Sequence, residues 1–193
     1  MKQSEVNLLC REAAACFQRM NWALPPDPQW AATDFGLGDY QSAGLVEVLL
    51  ANEPEYCEKI MYARPDMVTP THTHGKKKED IVCRSGRLRM TLWAENPLKQ
   101  SAAGSVRVQI NGQERTIACG EAFVLNPGER ITLVPGIWHE FAPSAPDTLI
   151  GEVSTWCDEE TDNFFADPEV DIFHDIEPDE APEFGGFTAE TQS

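Results

Sequence analysis

Two histidines and a glutamate lie close together near the middle of the chain, at a spacing typical of metal ligands. His72 and His74 are two residues apart, and Glu79 follows the second histidine by five positions. Because successive side chains of a β-strand alternate between its two faces, both imidazoles point the same way if this segment is extended. Two imidazoles and a carboxylate on one face predict a metal site.

His139 is the candidate for a third imidazole ligand. It follows Pro135-Gly136, a turn that can return a strand beside the first pair of histidines. Three histidines and one glutamate form a mixed nitrogen and oxygen donor set, which suits a divalent ion such as Mn, Fe, Co, Ni or Zn. An octahedral ion held this way keeps positions open for substrate oxygens. The remaining histidine, His174, is interpreted as a surface residue of the acidic tail.

The charge of the chain is strongly negative and unevenly distributed. The formal net charge is −17 over 193 residues, and sixteen Asp and Glu but no Lys or Arg follow Arg130. Nucleic-acid phosphates need cations on the protein, so this balance argues against a nucleic-acid partner and favours a small neutral substrate over a phosphorylated one. The sequence has no long apolar run and no apolar N-terminal signal, so we expect a cytoplasmic protein without a membrane partner.

Hydrophobic periodicity predicts an N-terminal helix followed by many short strands. Apolar residues recur at helical spacing from Ser4 to Met20, with Ser4 as the N-cap. The segment Trp22 to Tyr40 is rich in Pro, Gly and aromatics and is interpreted as an ordered covering segment. Eight or more short strands follow between Leu45 and Trp156, including a hairpin with the two-residue turn Asn111-Gly112, and they predict an all-β sandwich or barrel.

The chain is expected to form a single domain over residues 1–193. Residues 1–43 would supply the N-terminal helix and covering segment, 44–157 the barrel core, and 158–193 an acidic tail. The six cysteines are scattered and are expected to be free thiols in a reducing compartment.

Two motifs resemble those of the cupin superfamily. His72-x-His74-x(4)-Glu79-x(6)-Gly86 resembles the first cupin motif, and Pro135-x-x-x-His139 resembles the second, although the Asn that often ends it is absent. The resemblance implies a cupin-type double-stranded β-helix, or jelly-roll barrel, with the metal inside its mouth. The N-terminal helix and a covering C-terminal segment would be additions to that barrel. Because cupins include oxygenases, isomerases, epimerases and non-enzymes, these motifs do not define the reaction.

Five segments extend a narrower resemblance over most of the chain. They are Asp34-Phe35-Gly36-Leu37-Gly38-Asp39, Gly44-Leu45-Val46, Tyr56-Cys57-Glu58-Lys59, Thr69-Pro70-x-His72-x-His74-x-x-Lys77-x-Glu79-Asp80-Ile81 and Gly151-Glu152-Val153-Ser154. Together they resemble the D-lyxose isomerase family of cupin sugar isomerases. The chain departs from the family pattern at Cys83, Ser85 and Cys157, and these departures concern the sugar preference more than the reaction type.

This resemblance implies a manganese-dependent aldose–ketose isomerase. The sugar pair would be D-lyxose and D-xylulose, with D-mannose and D-fructose as a further pair. The resemblance also implies that His72, His74, Glu79 and His139 are the metal ligands and that Lys77 is an active-site lysine.

Aldose–ketose isomerisation moves a hydrogen between C1 and C2 of a sugar. Either a base takes the C2 proton through an enediol, or a hydride shifts between the carbons, and both routes need a Lewis acid on O1 and O2. Lys77 shares the face of Glu79 if the segment is extended, and a pKa depressed by a nearby cation would suit proton transfer. The alternative is a solvated lysine in the run Lys76-Lys77-Lys78.

The acidic tail is expected to supply a carboxylate base. Asp167, Glu169 and Asp171 alternate between the apolar anchors Phe165 and Ile172-Phe173, so an extended segment would aim all three at one side. We predict that this segment caps the barrel mouth and that Glu169 or Asp171 is the acid–base group.

Other strand residues and other functions remain as alternatives. Glu152 and Glu140 flank late strands and are weaker candidates for the base. Trp93, Trp138 and Phe141 either form a sugar platform or pack in the core. The alternative functions are an iron-dependent cupin dioxygenase and a non-catalytic sugar- or metal-binding cupin. A homodimer is expected, because small cupins often pair sheet edges.

Overall fold

Short strands with alternating apolar and polar residues are the commonest regular elements of the protein, as predicted. The computed structural model describes residues 1–100, 103–155 and 158–185. Within them lie two helices, α1 (Gln3–Arg19) and α2 (Tyr40–Ala43). The strands are β1 (Gln29–Thr33), β2 (Leu45–Asn52), β3 (Cys57–Ala63), β4 (His72–Thr73), β5 (Glu79–Ser85), β6 (Leu88–Trp93), β7 (Ser105–Ile110), β8 (Gln113–Ala118), β9 (Ala122–Leu125), β10 (Arg130–Leu133), β11 (Trp138–Pro143), β12 (Leu149–Ser154) and β13 (Phe164–Phe165).

The strands form two antiparallel sheets. The larger sheet has the order β1-β2-β3-β12-β5-β10-β7-β8, and the smaller has the order β13-β4-β11-β6-β9. Strands that are neighbours in a sheet are often distant in the chain, as β12 is from β3 and β5, so the chain passes repeatedly from one sheet to the other. Two antiparallel sheets connected in this way are typical of a jelly roll, and the predicted all-β fold class is confirmed.

Successive side chains of a strand point to opposite faces, so apolar residues of the same strand belong to two different hydrophobic clusters. On β3, Met61 and Ala63 face the cluster inside the barrel, whereas Ile60 and Tyr62 face a second cluster on the outer side of the large sheet. The apolar face of α1, including Phe17, covers this outer side. Fully burying a side chain as large as phenylalanine stabilises the fold by about 1.5–3 kcal/mol. The packing of its apolar face therefore stabilises the helix more than the helix propensity of its residues does.

The N-terminal helix is capped differently from the prediction. The proposed N-cap Ser4 is wrong, because the helix begins at Gln3 and Ser4 lies in its first turn. The backbone N–H and the hydroxyl of Ser4 donate to the carboxylate of Asp179, at 2.9 and 2.7 Å. A carboxylate of the tail thus binds the positive end of the helix. The predicted buried face is confirmed except at Met20, which is exposed. No helix of the described residues is long and apolar enough to span a membrane.

Two strands lie outside the part of the chain in which periodicity predicts them. β1 lies within the covering segment and pairs with β2 at the edge of the large sheet. β13 lies in the tail and pairs with β4, which places Phe165 opposite His72. Both strands are short and isolated in the sequence, so alternation is too brief to mark them. The last predicted strand ends at Ser154, and its predicted end Trp156 lies outside the described residues, as do residues 186–193 of the tail.

Gly86 and Gly112 lie in turns of the barrel at positions with positive φ. Asn111 and Gly112 both have positive φ, 53° and 74°, which is the geometry of the predicted two-residue hairpin turn. Gly86, between β5 and β6, also has a positive φ of 69°. A Cβ at Gly86 would collide with the hydroxyl of Thr148, whereas a Cβ at Gly112 would meet open space. Gly86 is therefore required for space as well as for its backbone conformation.

Alanine substitutions should separate these two requirements. For Gly112→Ala we expect the free energy of unfolding to fall by about 1–2 kcal/mol, because only the left-handed backbone is strained. For Gly86→Ala we expect a further loss of about 1–3 kcal/mol, because the new Cβ also crowds Thr148. Urea denaturation of both variants measures the difference, and equal losses would contradict the close approach at Gly86.

Candidate active site

A cavity of about 220 Å³ lies inside the barrel and is lined by residues from both sheets and from the tail. One part of its wall is apolar and includes Phe35, Met61 and Phe165. The rest carries an unusual number of ionisable groups for a buried space. The polar and ionisable residues of this wall include Glu47, Lys59, His72, His74, Lys77, Glu79, His139, Glu152, Glu159 and Asn163.

Strand pairing brings the three predicted histidine ligands together. His72 on β4 is the register partner of His139 on β11, and their ring centroids are 4.2 Å apart. His74 follows two residues later and shares the face of His72, as the spacing predicts. The turn before β11 is fixed to this segment, because Gly136 N donates to His74 O at 2.8 Å. One ligand nitrogen from each of the three rings lies within 4.8 Å of the others.

Each imidazole is oriented by a hydrogen bond from its Nδ1 to a backbone carbonyl. The acceptors are Pro70 O for His72 at 2.9 Å, Asp162 O for His74 at 2.8 Å and Ile137 O for His139 at 3.1 Å. Burial lowers the pKa of His72 and His74, so these rings are neutral. A neutral ring that donates from Nδ1 has a free lone pair on Nε2, which is the form that binds metal ions.

Glu79 adds a carboxylate to the same point. Its Oε1 lies 3.1 Å from His139 Nε2 and 3.5 Å from His74 Nε2. Among the described residues, these three buried atoms find no hydrogen-bond partner. Burial raises the pKa of Glu79, but the Lys77 ammonium beside it opposes this, and the net pKa lies well below its usual range. Converging lone pairs on a carboxylate and neutral imidazoles fit a divalent cation between them.

Lys77 is buried beside these ligands and is not a solvated surface lysine. Its Nζ lies 3.2 Å from Glu79 Oε2 and 2.9 Å from Glu152 Oε1, whereas Lys76 and Lys78 are exposed. Burial lowers the pKa of Lys77, but the carboxylates of Glu152 and Glu79 raise it more, and the net pKa is well above the usual range. The surroundings present in the structure thus act against the depressed pKa expected from the sequence and favour an ammonium that donates hydrogen bonds.

A second ionic cluster lines the cavity and was not anticipated as part of the site. Lys59 on β3 is only 2% exposed and pairs with Glu47 on β2 at 3.2 Å and with Glu159 of the tail. Strand pairing places this cluster beside the group formed by Lys77, Glu79 and Glu152, because Glu152 on β12 is the register partner of Lys59 on β3. Burial raises the pKa of Glu47, although Lys59 opposes this. Alternation along β3 is the sequence signal that could have indicated a buried Lys59, since Lys59 shares the inner face of this strand with Met61.

The balance of charge within the cavity also fits a cation. Four carboxylates, those of Glu47, Glu79, Glu152 and Glu159, and two lysine ammonium groups line the wall. Carboxylates thus outnumber lysine ammonium groups on this wall, which favours a bound cation. Buried charge without compensation is costly, so this imbalance and the unpartnered lone pairs indicate the same ligand.

Glu169 and Asp171 do not reach the cavity. Both side chains are exposed and neither lines the wall. The expected extended segment is wrong, because Val170 N donates to Asp167 O and the Asp167 carboxylate accepts from Glu169 N, which closes a turn. Asp171 instead accepts from Phe173 N at 2.9 Å. Asp and Glu beside a turn bind local N–H groups more readily than they alternate along a strand.

The tail does cover the cavity, but with other residues than the predicted acids. Phe165, Ile172 and Phe173 line the wall, together with Glu159 and Asn163. The tail therefore closes this side of the barrel with its apolar anchors, as expected.

The structure distinguishes among the three candidate platform aromatics and corrects the interpretation of His174. Phe141 lines the cavity, whereas Trp138, one residue from His139, lies on the opposite face of β11, and neither Trp138 nor Trp93 is part of the wall. His174 is not a surface histidine, because its Nε2 lies 3.0 Å from the buried carboxylate of Asp34.

A jelly-roll barrel that encloses three histidines and a glutamate defines a cupin-type protein, and comparisons with known proteins show its family and its fold. The D-lyxose/D-mannose isomerase of Escherichia coli O157:H7 is 37% identical over 162 residues, which cover 78% of this chain and 71% of that protein. The D-lyxose/D-mannose isomerase of Serratia proteamaculans is 34% identical over 218 aligned positions, 95% of each chain. The Cellulomonas parahominis L-ribose isomerase without ligand has a similar fold, with a TM-score of 0.63 at 16% identity over 88% of this chain and 94% of that one.

A sequence model of the D-lyxose isomerase family matches residues 27–185. The chain therefore belongs to the D-lyxose isomerase family, and the resemblance indicated by its motifs is confirmed. Membership of this family identifies the protein as an aldose–ketose sugar isomerase.

The converging donors predict that a divalent ion stabilises the protein. Adding Mn²⁺ to chelator-treated protein should raise the unfolding temperature, because an ion that binds only the folded state at 100 times its dissociation constant contributes about 2.7 kcal/mol. His139→Ala should abolish the increase, whereas His174→Ala, which changes a histidine outside the cavity, should retain it. Scanning calorimetry measures the shift, and an equal shift in the wild type and His139→Ala would contradict the site.

Proposed function

We propose that the protein interconverts D-lyxose and D-xylulose, with D-mannose and D-fructose as a second pair. The observation that carries this proposal is the convergence of Glu79, one ring nitrogen from each of three histidines, and the ion pair of Lys77 with Glu152 in one part of the cavity. The names of the two related bacterial isomerases support the choice of sugars. The four carboxylates of the cavity wall favour a neutral sugar over a sugar phosphate, because they would repel a phosphate group.

We propose His72, His74, Glu79 and His139 as ligands of a manganese ion, with Fe, Co, Ni and Zn as the competing metals. The mixed nitrogen and oxygen donor set, with positions left for substrate oxygens, supports this choice. When bound, the ion would supply a Lewis acid for O1 and O2 of the sugar.

The geometry supports Glu152 as the acid–base group in preference to Glu169 and Asp171. Its carboxylate is buried in the cavity wall and hydrogen-bonded to Lys77 Nζ. In the proposed reaction, it takes the C2 proton of the open-chain aldose while O1 gains a proton, which gives an enediol. The resulting carboxylic acid returns the proton to C1 as the O2 hydroxyl loses its own, which gives the ketose.

Lys77 is proposed to hold the two reacting oxygens and to exchange protons with them. An ammonium bonded to both Glu79 and Glu152 is close enough to the candidate ligands to donate to a sugar oxygen bound beside them. The raised pKa favours the protonated form, which can give a proton to O1 as negative charge develops there. The cluster of Lys59, Glu47 and Glu159 would bind the remaining hydroxyls of the sugar.

A sugar panel tests the reaction and its alternatives. With Mn²⁺, we expect ketose formation from D-lyxose to be fastest, then from D-mannose, and slower from D-xylose and D-ribose. Oxygen uptake without ketose would indicate a cupin dioxygenase, and sugar binding without turnover would indicate a non-catalytic cupin. Absence of ketose with every pentose and every divalent metal of the set would reject the proposed function.

Isotope exchange tests the route. In D₂O, an enediol route should incorporate solvent deuterium at C1 of the ketose, because the proton on Glu152 exchanges with solvent. Mass spectrometry of the product measures it. A product without deuterium at any extent of conversion would favour a hydride shift.

Glu152→Gln tests the proposed base. We expect kcat to fall about 10²–10⁴-fold with a small change in KM, because the amide cannot take the C2 proton. Glu140→Gln and Glu169→Gln are matched controls, since both change a glutamate outside the cavity wall, and they should retain wild-type turnover. Loss of turnover in Glu169→Gln with normal Glu152→Gln would reverse the assignment.

The expectation of a cytoplasmic homodimer is kept as part of the proposal. The large sheet ends at β1 and β8, and the exposed strand β8 offers an edge for pairing. Sedimentation analysis of the purified protein measures its oligomeric state.

A further inference from the structure

A buried aspartate of the tail binds the loop that carries two of the candidate site residues. Asp162 is 2% exposed. Its Oδ1 accepts hydrogen bonds from Gly75 N and Lys76 N, both at 3.0 Å, and its Oδ2 accepts from Lys76 N at 3.2 Å and Lys77 N at 2.8 Å. Three consecutive N–H groups that converge on one carboxylate form a nest, and the bonds are strengthened by the charge of the acceptor.

The same residue also fixes one of the proposed metal ligands. The backbone carbonyl of Asp162 accepts the hydrogen bond from His74 Nδ1 at 2.8 Å. It therefore sets both the ring orientation of His74 and the tautomer that leaves its Nε2 free. The Asp162 side chain and backbone thus hold both ends of the segment from His74 to Lys77.

This segment has little other regular structure to hold it. Residues 74–78 connect β4, which has only two residues, to β5. Gly75 and Lys76 are exposed, yet the loop must deliver the buried side chain of Lys77 to Glu79 and Glu152. A small shift of the loop would move both the imidazole and the ammonium, because both depend on the same three peptide units.

We propose that Asp162 is a positioning residue of the isomerase, which fixes His74 and Lys77 by binding the backbone of the loop between them. This inference rests on the proposed function, since it concerns a proposed ligand and the proposed proton donor. Partners that hydrogen-bond to metal ligands typically change metal affinity or activity about 10–100-fold when they are lost.

Asp162→Asn tests the inference, with Asp179→Asn as the matched control. The asparagine keeps the size of the side chain but places an NH₂ group where one carboxylate oxygen accepts. Asp179 also belongs to the tail and joins it to the body of the protein through two hydrogen bonds, but its partner is Ser4 of α1, outside the cavity wall. A purely structural effect of loosening the tail should therefore appear in both variants.

The measurement is Co²⁺ binding to the metal-free full-length proteins, followed through the visible absorption of the bound ion. We expect Asp162→Asn to raise the Co²⁺ dissociation constant 10–100-fold and to change the absorption spectrum, whereas Asp179→Asn stays within twofold of the wild type. At saturating Co²⁺, kcat of Asp162→Asn should still be reduced, because Lys77 remains displaced. Thermal unfolding of the metal-free forms shows whether the two substitutions destabilise the fold equally.

The outcomes separate this inference from the proposed function. If the wild type does not bind Co²⁺, the proposed metal site itself fails. If the wild type binds and Asp162→Asn binds equally well with the same spectrum, only the positioning role is rejected. Equal loss of affinity in both variants would also reject it, since the effect would then be structural.

Gly75→Ala provides the test if Asp162→Asn does not fold. A Cβ at Gly75 would lie 3.2 Å from Asp162 Oδ1 and 3.2 Å from the Phe164 ring, so the loop must shift by a few tenths of an ångström. The φ of Gly75 is not in the left-handed region, so alanine adds no backbone strain there. We expect a several-fold weaker binding of Co²⁺ with little change in unfolding temperature, and unchanged affinity would overturn the inference.

Discussion

The site is governed by the cost of burying lone pairs that face one another. Glu79 Oε1 and two imidazole Nε2 atoms lie within 3.5 Å without hydrogen-bond donors among the described residues. Each buried polar atom left unsatisfied costs about 1–3 kcal/mol, so three together would weigh heavily against a fold of ordinary stability. A bound cation would remove this cost, so the arrangement fits a metal site. Selection for function therefore explains a cluster that a stability argument alone would reject.

The rest of the structure serves to hold these atoms in place against their mutual repulsion. Strand register sets His72 opposite His139, and the hydrogen bond from Gly136 fixes the next strand to His74. Each ring is held from its far side by a backbone carbonyl, which the structure supplies without further charged groups. The Lys77 ammonium pairs with the other carboxylate oxygen of Glu79, Oε2, at 3.2 Å. The ligands are thus oriented by main-chain groups, whose positions depend on the barrel rather than on flexible side chains.

The sequence predicts most of this site because its main elements follow local rules. Alternation in a strand is enough to put His72 and His74 on one face, and Gly86 and Asn111-Gly112 mark turns through positive φ. The charged groups beyond the motif are different. Lys59 and Glu152 are 93 residues apart in the chain and become neighbours only because β12 lies beside β3, and no local pattern predicts that pairing. The positions of Lys59 and Glu152 in the cavity wall could therefore be found only from the tertiary structure.

The aspartates of the tail show why its acidic residues were misinterpreted as a supply of bases. In the described residues after Ser154, the only strand is Phe164–Phe165, so most backbone N–H groups there need acceptors outside a sheet. Aspartates provide them at short range in Asp158, Asp167 and Asp171, and at long range in Asp162 and Asp179. The aspartates of this tail are therefore explained mainly by the hydrogen bonds that attach the tail to the barrel, whereas Glu152, the base proposed above, lies on a central strand of the large sheet.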